Sequence, residues 1–190
     1  MEPAELADVI ARAQRGEPAA FDALINAYAT RLYGYFYRLT GSRHDAEDLL
    51  QEVFVRLVRM IGHYEHDGRF DGWLFRIATN LVRDQARRAK TRLIGEGLHA
   101  WQDGSERRGF HERPDPMARQ PSESLEQAED ADRLQWAIAQ LPEAEREVIL
   151  LRHFAQLSFR EIAEQMGTPL GTALARAHRG LARLRELMAE

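Results

Sequence analysis

Two constellations of charge carry the residue types that could do chemistry. Asp45, Glu47, Asp48 and Glu52 crowd one short stretch with Gln51 among them, and His44, His63, Glu65, His66 and Asp67 lie near it in the chain. Paired carboxylates beside histidines suit general acid–base catalysis or a divalent metal. The stretch contains no HExxH pair, and the helix dipole already favours carboxylates in a first turn without any catalytic duty. The pattern therefore predicts a charged surface and not an enzyme, with neither metal nor cofactor.

The second constellation is basic. From Arg69 to Arg92 the chain holds Arg69, Arg76, Arg83, Arg87, Arg88, Lys90 and Arg92 against only Asp71 and Asp84, with Trp73 and Asn80 interleaved. At about 100° per residue, Arg76, Asn80, Arg83 and Arg87 gather on one side of a helix, while Leu74, Ile77, Ala78, Leu81 and Val82 gather on another. Arginines that hold phosphates beside an aromatic ring that stacks on a base make a single-stranded nucleic-acid surface. A solvated cationic face is the plainer alternative. Near the C-terminus the same wheel puts Thr172, Arg176, Arg179 and Arg183 together, opposite a stripe of Leu170, Leu174, Ala177, Leu181, Leu184 and Met188. That predicts a duplex-reading helix with Leu174 on its buried side, or else a helical hairpin with exposed arginines.

Composition narrows the possibilities further. The 190 residues carry a net charge of −4, and cysteine is absent, which removes disulfides, thiolate metal ligands and thiol nucleophiles. Charge is segregated, since Ser122 to Asp132 has five acidic residues and no basic one. No apolar run approaches membrane-spanning length, and the acidic start MEPAELAD lacks a signal pattern, so a cytoplasmic protein without membrane insertion is expected.

Helices must position these residues, because apolar residues recur at helical spacing and no alternating strand pattern competes. Leu6, Val9, Ile10 and Ala13 mark a first helix ended by Gly16. Phe21 to Leu39 mark a second ended by Gly41. Ser42 and Asp45 form a capping-box pattern for a third, with a stripe of Ala46, Leu49, Leu50, Val53, Phe54, Leu57, Val58 and Ile61. Asp71 is the expected N-cap of a fourth that runs to about Lys90. Glycines and prolines punctuate residues 95–121, which read as a flexible linker with Leu98, Trp101, Phe110 and Met117 as sporadic anchors. A second unit starts near Ser122 or Ser124, with Leu125, Leu134, Trp136, Ile138 and Leu141 along its first helix. Pro142 opens the next. Ser158 and Glu161 cap a short helix stopped by Gly167, and Thr168 with Pro169 starts the last, which together make a helix-turn-helix. The expected fold is all-α, with two small helical domains, 1–94 and 122–190, joined by the linker.

These segments, in this order, resemble a bacterial sigma factor of the extracytoplasmic-function (ECF) type in the sigma-70 family. DAEDLLQEVFVRL is similar to the family's polymerase-binding region 2.2, FDGWLFRIATNLVRDQARR to its −10 regions, and LPEAEREVILLRHFAQLSFREIAEQMGTPLGTALARAHRGLARLR to its −35-reading region 4. The resemblance implies that Asp48, Leu49, Gln51 and Glu52 bind core RNA polymerase. It implies that Arg69, Trp73, Arg76, Asn80, Arg83 and Arg87 bind the melted −10 strand, with the loop His63 to Phe70 as the base-capturing loop. It further implies that Arg160, Thr172, Arg176, His178, Arg179 and Arg183 meet duplex −35 DNA, and that an anti-sigma factor holds the chain inactive. The family commonly has a basic residue and a serine where this chain has Leu174 and Ala175, which narrows its polar −35 contacts. The competing expectation is a stand-alone helix-turn-helix regulator with a sensing or dimerising N-terminal domain.

Overall fold

The computed structural model describes residues 1–96 and 125–189, and the side chains of residues 1–88 and 130–189. Among the described residues the regular elements are all helical. The order is α1 (Pro3–Gln14), α2 (Pro18–Thr40), α3 (Arg43–Met60), a 3-10 turn (Ile61–His63), α4 (Phe70–Glu96), α5 (Leu125–Gln140), α6 (Glu143–Phe154), α7 (Phe159–Met166) and α8 (Leu170–Ala189). From residue 97 the expected linker, its apolar anchors and the expected start of the second unit lie outside the described residues.

Local chemistry sets the helix ends. Gly41 closes α2 with φ 69° and donates its N–H to the Tyr37 carbonyl, a left-handed cap that costs glycine little. Ser42 then caps α3 by accepting the Asp45 N–H at 3.2 Å, a bond worth about 1 kcal/mol at such a position. Ser158 and Glu161 make the expected reciprocal capping box on α7, and Gly167 ends that helix at φ 61°.

Three helix starts fall elsewhere than the sequence predicts. Asp71 is not the cap of α4. The turn at Gly68 (φ 81°) lets Asp67 accept the Arg69 N–H at 3.0 Å, so the helix begins at Phe70 and Asp71 lies in its first turn. Pro142 stands just outside α6 as its N-cap residue. Thr168 donates its backbone N–H to Ala163 as part of the α7 stop, and its hydroxyl is buried without a hydrogen-bond partner, so it does not cap α8.

The core of the first unit joins Leu24, Tyr35 and Phe36 of α2, Leu49, Val53 and Leu57 of α3, and Phe70, Leu74 and Phe75 of α4. The second unit closes around Val148, Leu150 and Leu151 of α6, Ile162 of α7 and Ala173 and Ala177 of α8. Here the predicted stripe of α8 holds at Ala177 and Leu184 and fails at its other leucines. Leu170, Leu174 and Leu181 are 42%, 44% and 52% exposed, whereas Ala173, Ala177 and Gly180 are buried. Small side chains let α8 lie close against α6. A Cβ added to Gly180 would stand 2.6 Å from Ile149 Cδ1 and 3.2 Å from Glu145 Cβ. Large residues therefore mark the outer face of this helix, the reverse of the usual rule. Val58 of α3 and Trp136 of α5, both expected in buried stripes, are likewise exposed.

The two units also pack on each other. Arg31 Nε donates to the Phe154 carbonyl at 2.8 Å, Arg38 Nη1 to Gln135 Oε1 at 2.9 Å, and Gln165 Nε2 to Thr79 Oγ1 at 3.0 Å. Gly34 lies directly against the Phe154 ring. Buried Gln135 owes its place in α5 to this contact, because it also donates to the Tyr37 carbonyl.

Candidate polymerase and nucleic-acid interfaces

The acidic face of α3 follows from its period. Ala46, Leu49, Val53 and Leu57 are the buried line, which leaves Asp48, Gln51 and Glu52 outside. Leu49, expected to touch a partner, is 5% exposed and belongs to the core. Its side chain fixes the helix and cannot itself form the surface. Around it, Asp48 lies 3.5 Å from His44 and Glu52 pairs with Arg56 at 2.9 Å, both one turn apart. Exposed Val55 and Val58 continue the face towards its C-terminal end, so an acidic patch runs into an apolar one. Sequence reading missed Val55 and assigned Val58 to the core. Of the histidines near these carboxylates, His66 meets the Tyr64 hydroxyl at 3.4 Å and His44 meets Asp48. Among the described residues no group of three His, Asp or Glu side chains is placed to hold an ion.

The start of α4 carries an aromatic platform. Trp73, half-buried, is 4.7 Å from the Tyr64 ring at 36° and 5.4 Å from Phe70, while Tyr28 and Tyr64 meet Phe70 edge-on. Asp71 holds this turn to α2 through a 2.7 Å ion pair with Arg31 and by accepting from the Tyr28 hydroxyl at 3.3 Å. Burial, with Asp67 adding to it, pushes the Tyr64 hydroxyl up to about 12, so it is a neutral donor throughout the physiological range. Beyond the platform Arg76 and Asn80 are exposed, Arg87 pairs with Asp84, and Arg83 reaches across to Glu147 of α6 at 2.8 Å. The platform, Arg69 and Arg76 form one wall of a cleft of about 510 Å³ whose other wall is α7. An aromatic surface flanked by guanidinium groups can stack a base and hold its phosphates.

The basic face of α8 is built differently. Arg179 and Arg183 both reach Glu145 of α6, at 3.1 and 3.3 Å, and the Glu145 side chain is 8% exposed while theirs are about half exposed. A guanidinium has five N–H donors, so one contact inward leaves others outward. Arg176 and Thr172 are half-buried, and His178 and Arg160 are exposed. Glu145 and Glu147 were not predicted as participants. Glu145 lies in the acidic first turn of α6, which the helix dipole explains equally well, and Glu147 lies just beyond that turn.

Comparison with known proteins identifies the family. The family model described as Sigma-70 region 2 matches residues 24–92, and that described as Sigma-70, region 4, matches residues 131–184. ECF RNA polymerase sigma factor SigE of Mycolicibacterium smegmatis is 36% identical over 195 residues, covering 100% of this chain and 69% of that protein. ECF RNA polymerase sigma factor SigW of Bacillus subtilis is 33% identical over 177 residues, covering 93% of both. Solved structures share the fold: CnrH in complex with the cytosolic domain of CnrY (TM-score 0.66, 23% identity, 95% of both chains) is one. RpoE in complex with the anti-sigma factor NepR from Bartonella quintana (TM-score 0.69, 21% identity, 89% of this chain and 96% of that one) is another. The chain belongs to the ECF RNA polymerase sigma factors of the sigma-70 family. Among its described residues no helix is long and apolar enough to cross a membrane.

Proposed function

We propose that this sigma factor docks on core RNA polymerase through Asp48, Gln51 and Glu52 of α3, with Val55 and Val58 as the apolar extension of the contact. The melted −10 strand is held by Arg69, Trp73, Arg76, Asn80, Arg83 and Arg87, with a flipped base against the Tyr64–Trp73 platform. Duplex −35 DNA is met by Arg160, Thr172, Arg176, His178, Arg179 and Arg183. The corresponding division of the chain is 1–94 for polymerase and −10 binding, 95–121 as linker and 122–190 for −35 binding. The work is binding and not bond-making. Unstacking a base costs a few kcal/mol, which stacking on the platform and phosphate contacts offset. Action in the cytoplasm beside the polymerase follows, and control by an anti-sigma factor accords with the complexes of CnrH and of RpoE.

The observation that carries the reading is the pairing of the two faces of the first unit. An exposed acidic face on α3 and an aromatic platform with arginines on α4 stand on neighbouring helices of one core. The test is run-off transcription with sigma-free core polymerase and candidate promoters. A promoter-specific transcript with the wild type, and none with Asp48→Arg despite an unchanged circular-dichroism spectrum, is the expected result. An Asp48→Arg protein that binds core polymerase as the wild type does would give the acidic face another role. Tight binding of duplex DNA without core would favour a stand-alone regulator.

A further inference from the structure

Leu174 is a surface residue and not a packing one. It stands exposed in the N-terminal half of α8, as does Leu170 one turn earlier. A single exposed leucine needs no explanation, but the surroundings of this one supply a use. At about 100° per residue, the side of α8 roughly opposite its buried line of Ala173, Ala177 and Gly180 holds Gly171, Ala175 and His178. Leu174 stands at one edge of that side, and Thr172 and Arg179 stand at the other. The middle is low: a Cβ built on Gly171 would meet no atom within 4 Å, and Ala175 adds only a methyl group. A helix with so shallow a face can bring its backbone close to base edges, and Leu174 is then the long side chain that reaches them.

The charges beside this face favour DNA over a protein as its occupant. Arg179 and Arg183 spend part of their guanidinium groups on Glu145 and stay about half exposed, and His178 is exposed in the same row. Leu181 has different surroundings, because it borders an apolar cleft of about 710 Å³ with Ile149 and Leu184. In a helix-turn-helix the N-terminal residues of the second helix meet the major groove, where the apolar group on a base edge is the C5-methyl of thymine. We propose that Leu174 is a specificity-determining residue of the −35 contact, packing on the methyl group of one thymine. The proposal rests on the reading of α8 as the −35 helix. A leucine selects in two ways at once. It gains by burying the methyl group, and it leaves the polar edge of a G·C pair without a hydrogen-bond partner.

The test removes the methyl group alone. The full-length chain is assembled with core polymerase, and the −35 element that it selects in transcription is placed in duplex promoter fragments. Each thymine of either strand is then replaced in turn by deoxyuridine, which pairs in the same way and lacks only the methyl. At one thymine the wild-type holoenzyme should bind the uracil fragment about fourfold more weakly, the worth of one buried methyl group. Leu174→Ala should bind the two fragments equally, with a melting temperature and core affinity like those of the wild type, because the side chain lies on the surface. Leu174→Lys should lose the preference too, whatever it gains from phosphate. A wild-type holoenzyme indifferent to every methyl, or a selected element with no thymine on either strand, would overturn the proposal. So would a Leu174→Ala protein that keeps the preference, and if that protein also bound core more weakly the face would belong to the polymerase. Wild-type holoenzyme that binds a scrambled −35 element as tightly as the selected one would instead remove the −35 reading itself.

Discussion

The two basic helices of this sigma factor look alike in sequence and are held in opposite ways. On α4, Arg83 finds its carboxylate in the other unit, at Glu147, and the helix owes its stability to an aromatic and aliphatic core that the arginines do not touch. On α8, Arg179 and Arg183 find theirs at buried Glu145 within the same unit, where small residues bring α8 against α6. The first arrangement makes an arginine that can be released. The second makes arginines that serve the fold and, in the proposed function, the DNA together. Loss of function on mutation therefore means different things on the two helices.

The largest effect expected from this contrast is on α8. Replacing Arg179 and Arg183 together by alanine leaves Glu145 as a buried, unpaired carboxylate, at a cost of about 3 kcal/mol. In a unit of this size thermal denaturation should then fall by roughly 12 °C or more. Adding Glu145→Gln should restore the melting temperature without restoring −35 binding. A double variant that melts as the wild type does would break the contrast.

Arg83→Ala should behave oppositely, with an unchanged melting temperature and core affinity. Losing one charge-assisted contact of about 1.5–3 kcal/mol lowers open-complex formation by about ten- to a hundredfold. Equal loss of core binding and opening would argue against direct strand contact.

Leu174→Lys probes the exposed row of α8 more gently. It lies on the surface, so stability should change by less than about 0.5 kcal/mol. Duplex −35 affinity should rise a few-fold at low salt, with a salt dependence steeper by about one counterion. Unaltered affinity and salt slope would place this row away from DNA.

The smallest effect is on pH. Burial is the main cause of the raised Glu147 carboxyl, with Arg83 and Arg176 opposing it and Glu143 supporting it. A carboxyl raised in the closed form binds its proton at higher pH there than in the open form. The resulting stabilisation is complete below the ordinary glutamate range and is lost as pH rises through the raised value. Fluorescence transfer between labels on the two units, at Asn26→Cys and Glu186→Cys, should accordingly decline as pH rises above the ordinary glutamate range. Glu147→Gln should flatten this profile, and an unchanged profile in that variant would assign the dependence to another group.

How much of this was legible in the sequence depended on what each residue answered to. Ser42, Gly41, Ser158 and Gly167 act on their own neighbours, and the helix ends they predict are found. The exposed sides of Arg76 and Asn80 follow from the strong apolar stripe of α4, which the wheel reads correctly. On α8 the wheel places Ala177 and Leu184 correctly but misplaces Leu170, Leu174 and Leu181, because close approach to α6 selects Ala173 and Gly180 beside Ala177. Leu49 was assigned to a surface by its place in a motif, although its own period with Ala46 and Val53 puts it inside. Glu145 could not be distinguished from a dipole-favoured carboxylate, nor Glu147 from an ordinary surface one, since their partners lie 34 to 64 residues away. Long-range pairing leaves no trace in a local pattern.

In the proposed function this chain opens promoter DNA only as part of the polymerase, with α4 holding the freed strand. A 2-aminopurine placed in the non-template −10 strand of a duplex promoter reports that event through its gain in fluorescence on unstacking. A rise is expected when wild-type protein and core polymerase are both present, little rise with either alone, and little with core plus Arg83→Ala or Asn80→Ala. A full rise with the protein alone, or an undiminished rise with both α4 variants, would contradict it.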